Sequence, residues 1–287
     1  MTRLILSVTT VPPRFPYIGE NLKTLLDQSA AIESINLYIP KSYRRFAYDP
    51  ADLPKLPEGV NLRIIEQDLG PATKVLPAAL EYRGQDVKIL FCDDDKVYDR
   101  DWAQRFVDAA TEKPGHVICE EGGWLSMPYY ADDGWQNARD PKPAFRKKDL
   151  WYRTRRALSL GMWKPSKTVS SGYVDILEGW GGVLVRPEFF DDAAYDIPDV
   201  LWTVDDVWLS GCVERLGVPI WLNAKDKVRS KGNSNEVKEA ALRNFVYQGH
   251  NRIAANRACI DYFRRTCGIW GGTEAADRAP AKSDLPA

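Results

Sequence analysis

The sequence predicts an α/β fold, a Rossmann-like and mainly parallel sheet flanked by helices. Three observations predict it. Short apolar runs alternate with helix-period segments up to about residue 121, three aspartates directly follow one apolar run, and an irregular, aromatic segment occupies 122–178. With 287 residues, 44% of them apolar, the chain can bury one large core.

The elements of the first 121 residues follow in order. Apolar runs predict strands at 4–8, 34–40, 61–68, 86–92 and 116–121. Helical spacing predicts helices at 15–28, 71–82 and 100–113, the second with a kink at Pro77. Parallel strands joined by helices bind ligands beyond their carboxyl ends. We therefore expect the site at the end of the strand that finishes at residue 92.

Periodic apolar patterns resume after residue 178. A strand and a short helix are predicted at 181–190, a helix at 204–217, a strand at 218–222 and a largely helical stretch at 236–268. The tail 271–287 is small, polar and proline-rich, which predicts disorder.

Composition limits the function classes. The net charge of −1 gives no global attraction to nucleic acid or membranes, and no apolar run is long enough to cross a bilayer. The start MTRLILSVTT is too short for a signal-peptide core. The five cysteines are scattered and odd in number, so we expect reduced core thiols and a cytoplasmic protein.

The stretch FCDDDKVY places Asp93, Asp94 and Asp95 at the end of a predicted strand. Their mutual repulsion is costly unless something positive binds there. One interpretation is a magnesium or manganese site that neutralises phosphates, and the other is a solvated acidic turn.

Four other stretches favour a ligand site. SVTTVPPRF ends the first strand with Thr9 and Thr10, GPATK presents the ammonium of Lys74 to a phosphate, and EGWGGVLV holds Trp180 among glycines that admit close approach of a ligand. Paired acids, Asp205 and Asp206, open an amphipathic helix, where helix capping alone also favours them.

These stretches, in this order over roughly 3–270, resemble the GT-A glycosyltransferases, which use nucleotide sugars, and in particular the bacterial family-two-like enzymes. The resemblance implies a single GT-A domain over 1–270, with a nucleotide-binding half at 1–121 and an acceptor half at 122–270. It also implies a nucleotide-sugar donor, with a UDP-sugar as first expectation, a divalent cation as cofactor, and a glycan or lipid-linked acceptor.

The resemblance assigns roles where residues match its motifs. Asp95 becomes a metal ligand, Asp93 a ribose contact or further ligand, and a late histidine, His250, a third ligand, for which a helix-capping role stays open. Asp206, or else Asp205, becomes the catalytic base of an inverting transfer. The expected donor-binding residues are Thr9, Thr10, Pro12, Arg14, Lys74, Asp93, Asp94 and Lys231.

Two basic stretches carry further expectations. In KDKVRSKGNSN, Lys225, Lys227, Arg229 and Lys231 share one face if the stretch is extended, as a loop over a diphosphate or as a solvated edge strand. The segment 142–167 interleaves nine cations with aromatics and has one acid, Asp149. This composition is typical of a site for an anionic acceptor or of a surface that contacts a membrane. The alternative is an ordinary basic face of the protein. The expected acceptor and sugar residues are Trp180, Gly181, Gly182, Glu178, Asp175, Arg155 and Arg156.

Two alternatives remain. A sugar nucleotidylyltransferase uses a similar nucleotide fold, although TTVPPRF lacks the glycine-rich loop expected after its first strand. A non-catalytic carbohydrate-binding protein on a transferase fold is the other.

Overall fold

The computed structural model describes residues 3–160, 162–163, 165–228, 230–232, 237, 240, 242 and 245–272. Arg229, Lys164 of the basic segment, and the tail from 273 onward lie outside these residues. The strands are β1 (Arg3–Thr9), β2 (Ser34–Pro40), β3 (Val60–Ile65), β4 (Val87–Cys92), β5 (Lys96–Val97), β6 (Val117–Cys119), β7 (Gly122–Gly123), β8 (Gly172–Val174), β9 (Ile176–Leu177), β10 (Val183–Val185), β11 (Ile220–Leu222) and β12 (Lys231–Gly232). The α-helices are α1 (Ile18–Leu26), α2 (Leu76–Glu81), α3 (Trp102–Glu112), α4 (Leu150–Leu158), α5 (Asp205–Arg215) and α6 (Arg252–Cys267).

An eight-stranded sheet organises the described chain, in the order β3-β2-β1-β4-β10-β6-β11-β8. β3, β2, β1 and β4 are mutually parallel, β6 and β11 are parallel, and β10 runs antiparallel to both β4 and β6. The predicted α/β class is confirmed. The antiparallel β10 comes from the late part of the chain, so both predicted halves contribute to one sheet.

Two apolar clusters cover the two faces of the sheet. Side chains alternate along β1, so Ile5 joins one cluster while Leu6 and Val8 join the other. The Ile5 side packs against α2, α5 and α6, and the Leu6 side packs against α1 and α3. Because helices bury both faces, the inner strands β1, β4, β6 and β10 are largely apolar, which is why they appear in the sequence as continuous apolar runs.

The predicted helix at 236–268 is too long in its described part. α6 begins only at Arg252, where the side chain of Asn251 accepts a hydrogen bond from the Ala254 amide at 2.9 Å. Just before it, Gln248 and Gly249 have positive φ, and Tyr247 bridges His250, so this stretch is a turn. The predicted kink at Pro77 is also wrong, because Pro77 lies in the first turn of α2, where no amide is needed.

The segment 122–178 contains more regular structure than predicted. β7 pairs with β9, β8 joins the main sheet, and α4 is capped by Asp149, which accepts from the Tyr152 amide at 2.8 Å. All five cysteines are free thiols, four of them buried, as the sequence predicted. No helix among the described residues has the length and apolarity required to cross a bilayer.

Candidate functional site

A cavity of about 650 Å³ opens at the carboxyl ends of the parallel strands. Thr9 ends β1, Pro40 ends β2 and Cys92 ends β4, and all three line it. The position agrees with the rule that open α/β sheets bind ligands at this edge. Of the predicted site residues, the cavity is lined by Thr9, Thr10, Arg14, Lys74, Asp93, Asp94, Asp95, Trp180, Asp205 and Asp206.

Protein cations surround the three consecutive aspartates. Asp94 is buried, accepts a hydrogen bond from the Thr10 hydroxyl at 2.5 Å and forms an ion pair with Arg14. Asp95 pairs with Lys96 at 2.5 Å. The repulsion that the sequence suggested is therefore offset by side chains of the chain itself. Charge repulsion alone does not require a bound metal here.

Lys74 is buried between the acidic stretch and α5. Its ammonium lies 2.5 Å from Asp93 Oδ1 and 2.9 Å from Asp205 Oδ2, with only 5% of the side chain exposed. Burial opposes its charge, but Asp205 and Asp93 outweigh burial and hold the pKa of Lys74 above its usual range. The same ammonium lowers the pKa of Asp93 against the effect of burial. Lys74 thus joins the two acidic motifs, while still lining the cavity.

Asp206 differs from Asp205 in what surrounds it. Its Oδ1 accepts a hydrogen bond from the Gly179 amide at 2.9 Å, and its Oδ2 lies 3.6 Å from Arg252. Burial and then the Asp205 charge raise the pKa of Asp206 to about 7, although Lys74 and Arg252 act in the opposite direction. A carboxylate with that pKa, 17% exposed at a cavity wall, can take a proton near neutral pH. Asp205 instead forms an ion pair with Lys74, so the two adjacent acids have different partners.

The GWGG loop is a 3₁₀ turn, Gly179–Gly181, that closes the cavity wall. A Cβ on Gly179 would lie 2.3 Å from the Lys74 ammonium. Gly182 has φ of +94°, and a Cβ there would meet the Trp102 ring at 2.4 Å. The glycines are therefore needed for close approach to protein side chains, and not, as the sequence suggested, to a ligand. Trp180 alone of this loop lines the cavity.

Glu178 holds Trp180 in place. It accepts hydrogen bonds from the Trp180 indole at 2.8 Å and from the Tyr130 hydroxyl at 3.0 Å. Asp175 is buried and accepts from the Leu125 amide and the Asn137 side chain, so it is structural and the expectation that it binds sugar is wrong.

The two carboxylates predicted to bind a metal lie at the cavity wall. Asp93 and Asp95 keep about a third of their side chains exposed, at 33% and 35%, and both line the cavity. Magnesium commonly needs only one or two carboxylates together with phosphate and water oxygens, which these two residues fit. Among the described residues, no three acidic, histidine or cysteine side chains are grouped as a preformed metal site.

His250 lies in the turn before α6 and does not line the cavity in the described chain. Its Nδ1 contacts the Gln248 carbonyl oxygen at 3.0 Å. The structure thus does not bring His250 together with Asp93 and Asp95, and its ligand role stays a prediction.

Several other predicted residues lie outside the cavity lining. They are Pro12, Glu178, Gly181, Gly182, Lys231, Arg155 and Arg156. Lys231 lies in β12, paired with Val97 of β5, two residues beyond Asp95. Arg155 instead lines a second cavity of about 300 Å³.

The expected common face of the late lysines is wrong. Lys225 is exposed and pairs with Glu112 at 3.1 Å, whereas Lys227 is buried and pairs with Glu121 at 2.6 Å. A turn at 225–226, where Asp226 has positive φ, breaks the alternation of an extended strand.

The structure adds lining residues that the sequence did not reveal. Arg252 faces Asp206 and donates hydrogen bonds to the Tyr129 hydroxyl and the Thr203 carbonyl. Tyr43 lines the opposite wall, where its hydroxyl donates to the Thr10 carbonyl at 2.9 Å. Arg252 follows His250 by two residues, and of these two it is Arg252 that lines the cavity. Tyr43 had no sequence signal.

No family model and no curated protein matches this chain. Similar solved structures include residues 1–349 of TarS from S. aureus, at 14% identity in each case. The complex with UDP has a TM-score of 0.41 and covers 79% of this chain and 59% of that chain. The uncomplexed form has a TM-score of 0.43 and covers 81% of this chain and 60% of that chain. The complex with UDP-GlcNAc has a TM-score of 0.46 and covers 83% of this chain and 60% of that chain. This chain therefore spans about three fifths of the TarS chain.

Proposed function

We propose that this protein is a nucleotide-sugar-dependent glycosyltransferase of GT-A type. The observation that carries the proposal is the position of Asp206, a carboxylate with a pKa of about 7, in the cavity that Arg14, Asp93 and Asp95 also line. A base and a group of charged side chains thus share one cavity at the carboxyl edge of the sheet. Inverting transfer of a sugar from a diphosphate to a hydroxyl uses a base for the hydroxyl proton and positive charge for the leaving diphosphate.

Asp206 takes the proton from the acceptor hydroxyl as the oxygen forms its bond to C1 of the sugar. The bond between C1 and the diphosphate oxygen breaks, and the nucleoside diphosphate leaves with the electron pair. Gly179 and Arg252 hold the two carboxylate oxygens of Asp206 and so fix its direction. A single base opposite the leaving group supports inversion at C1.

The donor phosphates lie, in this proposal, beside Arg14 and Lys96, with Thr9 and Thr10 at the nucleoside side. A divalent cation held by Asp95 and Asp93 supplies positive charge for the leaving diphosphate when bound. Because Asp95 is paired with Lys96, cation binding requires that lysine to move away. His250 stays a candidate for a third metal ligand, and Lys231 for a phosphate contact. Neither residue lines the cavity, so both would have to move toward it to bind.

Trp180 forms the wall against which a sugar face stacks, held by Glu178. The acceptor hydroxyl must enter between Trp180 and Asp206. We propose a glycan or a lipid-linked acceptor, for which Arg155 and Arg156 supply contacts outside the cavity. If Arg155→Glu with Arg156→Glu leaves the acceptor KM unchanged, that part of the proposal is wrong.

Calorimetric titration with nucleoside diphosphates and nucleotide sugars tests the donor site. We expect one base to bind in manganese, with UDP the first to test, and binding to be lost in EDTA and in Asp95→Ala. Asp192→Ala is the matched control, since Asp192 is 91% exposed and remote from the cavity lining.

The outcomes separate the alternatives. Binding that persists in EDTA and in Asp95→Ala would reject the cation but keep the donor site. No binding by wild type would reject the transferase and favour a carbohydrate-binding protein. Release of a nucleoside triphosphate from a nucleotide sugar and pyrophosphate would indicate a nucleotidylyltransferase.

A further inference from the structure

Helix α4 exposes an apolar surface that the sequence reading did not predict. None of its residues is buried. Leu150, Trp151 and Leu158 lie on one side of the helix by their spacing, and their exposed fractions are 80%, 70% and 81%. Leu160 and Met162, just beyond the helix, are 88% and 80% exposed. Adjacent large apolar side chains at this exposure mark an interaction surface.

The orientation of α4 is fixed by its opposite side. Tyr152 points back to Trp163 at a ring distance of 5.4 Å, and Arg155 lies 4.7 Å above the same ring. Phe145, which precedes the helix, packs edge-on against Trp124 at 4.9 Å. Tyr152 and Arg155 therefore face Trp163, whereas Leu150 and Leu158 do not line that second cavity. Trp151 borders the same cavity but keeps 70% of its surface exposed.

The charges around this apolar side are all positive except for the capping Asp149. Within the described part of the chain, none of the cations of this segment forms an ion pair with a carboxylate, in contrast to nearly every cation at the cavity. The exposed ones are Lys142, Arg146, Lys147, Lys148, Arg153, Arg155, Arg156 and Lys167. Exposed leucine and tryptophan bordered by unpaired cations are the pattern of a helix that lies in the interface of an anionic bilayer.

The tail 273–287 offers little apolar area that could cover this surface. Residues 273–287, TEAADRAPAKSDLPA, contain Leu285 as their one large apolar residue. A second copy of α4 would bring like charges together, which costs free energy. An anionic lipid surface satisfies both the apolar side and the charges.

We propose that α4 and the described residues that flank it, 142–160 and 162–163, form a docking surface for anionic phospholipid membranes. Trp151, Leu150 and Leu158 enter the headgroup and acyl boundary, while Lys148 and Arg153 contact lipid phosphates. This inference shares Arg155 and Arg156 with the acceptor contacts of the proposed function, but the donor site and the base lie in the cavity, so vesicle binding and nucleotide binding can fail independently.

Vesicle flotation tests it with the whole protein. Wild type should float with phosphatidylcholine vesicles that contain phosphatidylglycerol, and at least about tenfold less with phosphatidylcholine alone, because the charges select anionic lipid. Leu150→Ser with Leu158→Ser should reduce binding to the anionic vesicles about tenfold or more. Ile64→Ser with Leu80→Ser is the matched control, since those residues are 44% and 54% exposed elsewhere, and it should bind like wild type.

A second pair of variants tests the charges. Lys148→Gln with Arg153→Gln should weaken binding several-fold at about 0.1 M salt and less at about 1 M salt, while Lys41→Gln with Lys55→Gln should not. Circular dichroism of all variants verifies that they fold.

Three results would overturn the proposal. The first is that wild type binds neither vesicle type. The second is that the serine pair binds as wild type does, which would leave only non-specific charge attraction. A concentration-dependent dimer in solution that the serine pair abolishes would show that a second copy covers α4 instead.

Discussion

Two regions of the molecule, the cavity and helix α4, use basic residues in opposite ways. At the cavity, Arg14, Lys74 and Lys96 are mostly buried, and each faces an aspartate within 3.0 Å. Around α4, the cations are exposed and face no carboxylate of the described chain. Charges that are paired and buried fix the positions of the side chains around them. Charges that are exposed and unpaired can attract an oppositely charged partner from a distance. A basic residue count cannot distinguish these two arrangements.

The largest effect should come from a substitution of Asp206. Asp206→Asn should lower kcat by about 10²–10⁴-fold, because the amide cannot take a proton. Wild-type kcat should rise with pH up to about 7, as the carboxyl whose pKa is raised to about 7 ionises, and then level off. Steady-state kinetics across pH measures both.

Donor binding by Asp206→Asn should stay within about twofold of wild type, since the substitution keeps the shape and the hydrogen-bond acceptor. An Asp206→Asn protein that keeps more than about a tenth of the wild-type kcat would contradict the assignment of the base.

Removing the cation that joins the acidic motifs should have the next largest effect. Lys74→Met should lower the free energy of unfolding by about 3–5 kcal/mol, because it leaves the buried Asp205 and the partly buried Asp93 without their partner. Urea denaturation measures this. Lys41→Met, whose side chain is 59% exposed and pairs with Glu66, is the control and should cost no more than about 1 kcal/mol.

The raised pKa of Asp206 should also make the free energy of unfolding depend on pH. The folded state raises the pKa of Asp206 from 3.8 to about 7, so it binds more protons than the unfolded state between those values. Wild type therefore loses stability through this group as pH rises from about 4 to about 7. Relative to wild type, Asp206→Asn should gain about 1–4 kcal/mol over that range and no more above it. A constant difference between the two denaturation curves would reject this environment for Asp206.

The smallest effect should come from the unpaired charges. Lys148→Gln with Arg153→Gln should change the free energy of unfolding by less than about 0.5 kcal/mol, because neither side chain has a carboxylate partner in the described chain. Thermal denaturation without lipid measures this. A larger loss would mean that these cations stabilise the fold and would remove the contrast with the cavity.

The sequence predicted the sheet, the position of the cavity and the acidic motifs well, because strands buried on both faces leave long apolar runs and ligands bind at strand ends. It could not show that Lys74 lies between Asp93 and Asp205, because three distant segments meet only in the folded chain. It also could not separate Asp205 from Asp206, since the distinction arises from Lys74, Gly179 and Arg252.

The turn before α6 was mistaken for helix because the flanking residues have high helix propensity, while the Gln248–Gly249 pair with positive φ is a weak local signal. The exposed side of α4 was not predictable either. Periodicity shows that Leu150, Trp151 and Leu158 share a side, but the contact of Tyr152 with Trp163 decides which side faces outward.

The position of β10 has a consequence for how the chain acquires its structure. β4 pairs on one edge with β1, but its other edge pairs with β10, which is about 90 residues later in sequence. During synthesis from the N-terminus, the first four strands can therefore assemble while the inner edge of β4 remains open. That edge is closed only when Val183–Val185 has emerged and inserted between β4 and β6. Until then the nascent chain carries an unpaired apolar strand, so its solubility during translation depends on how quickly the late half arrives.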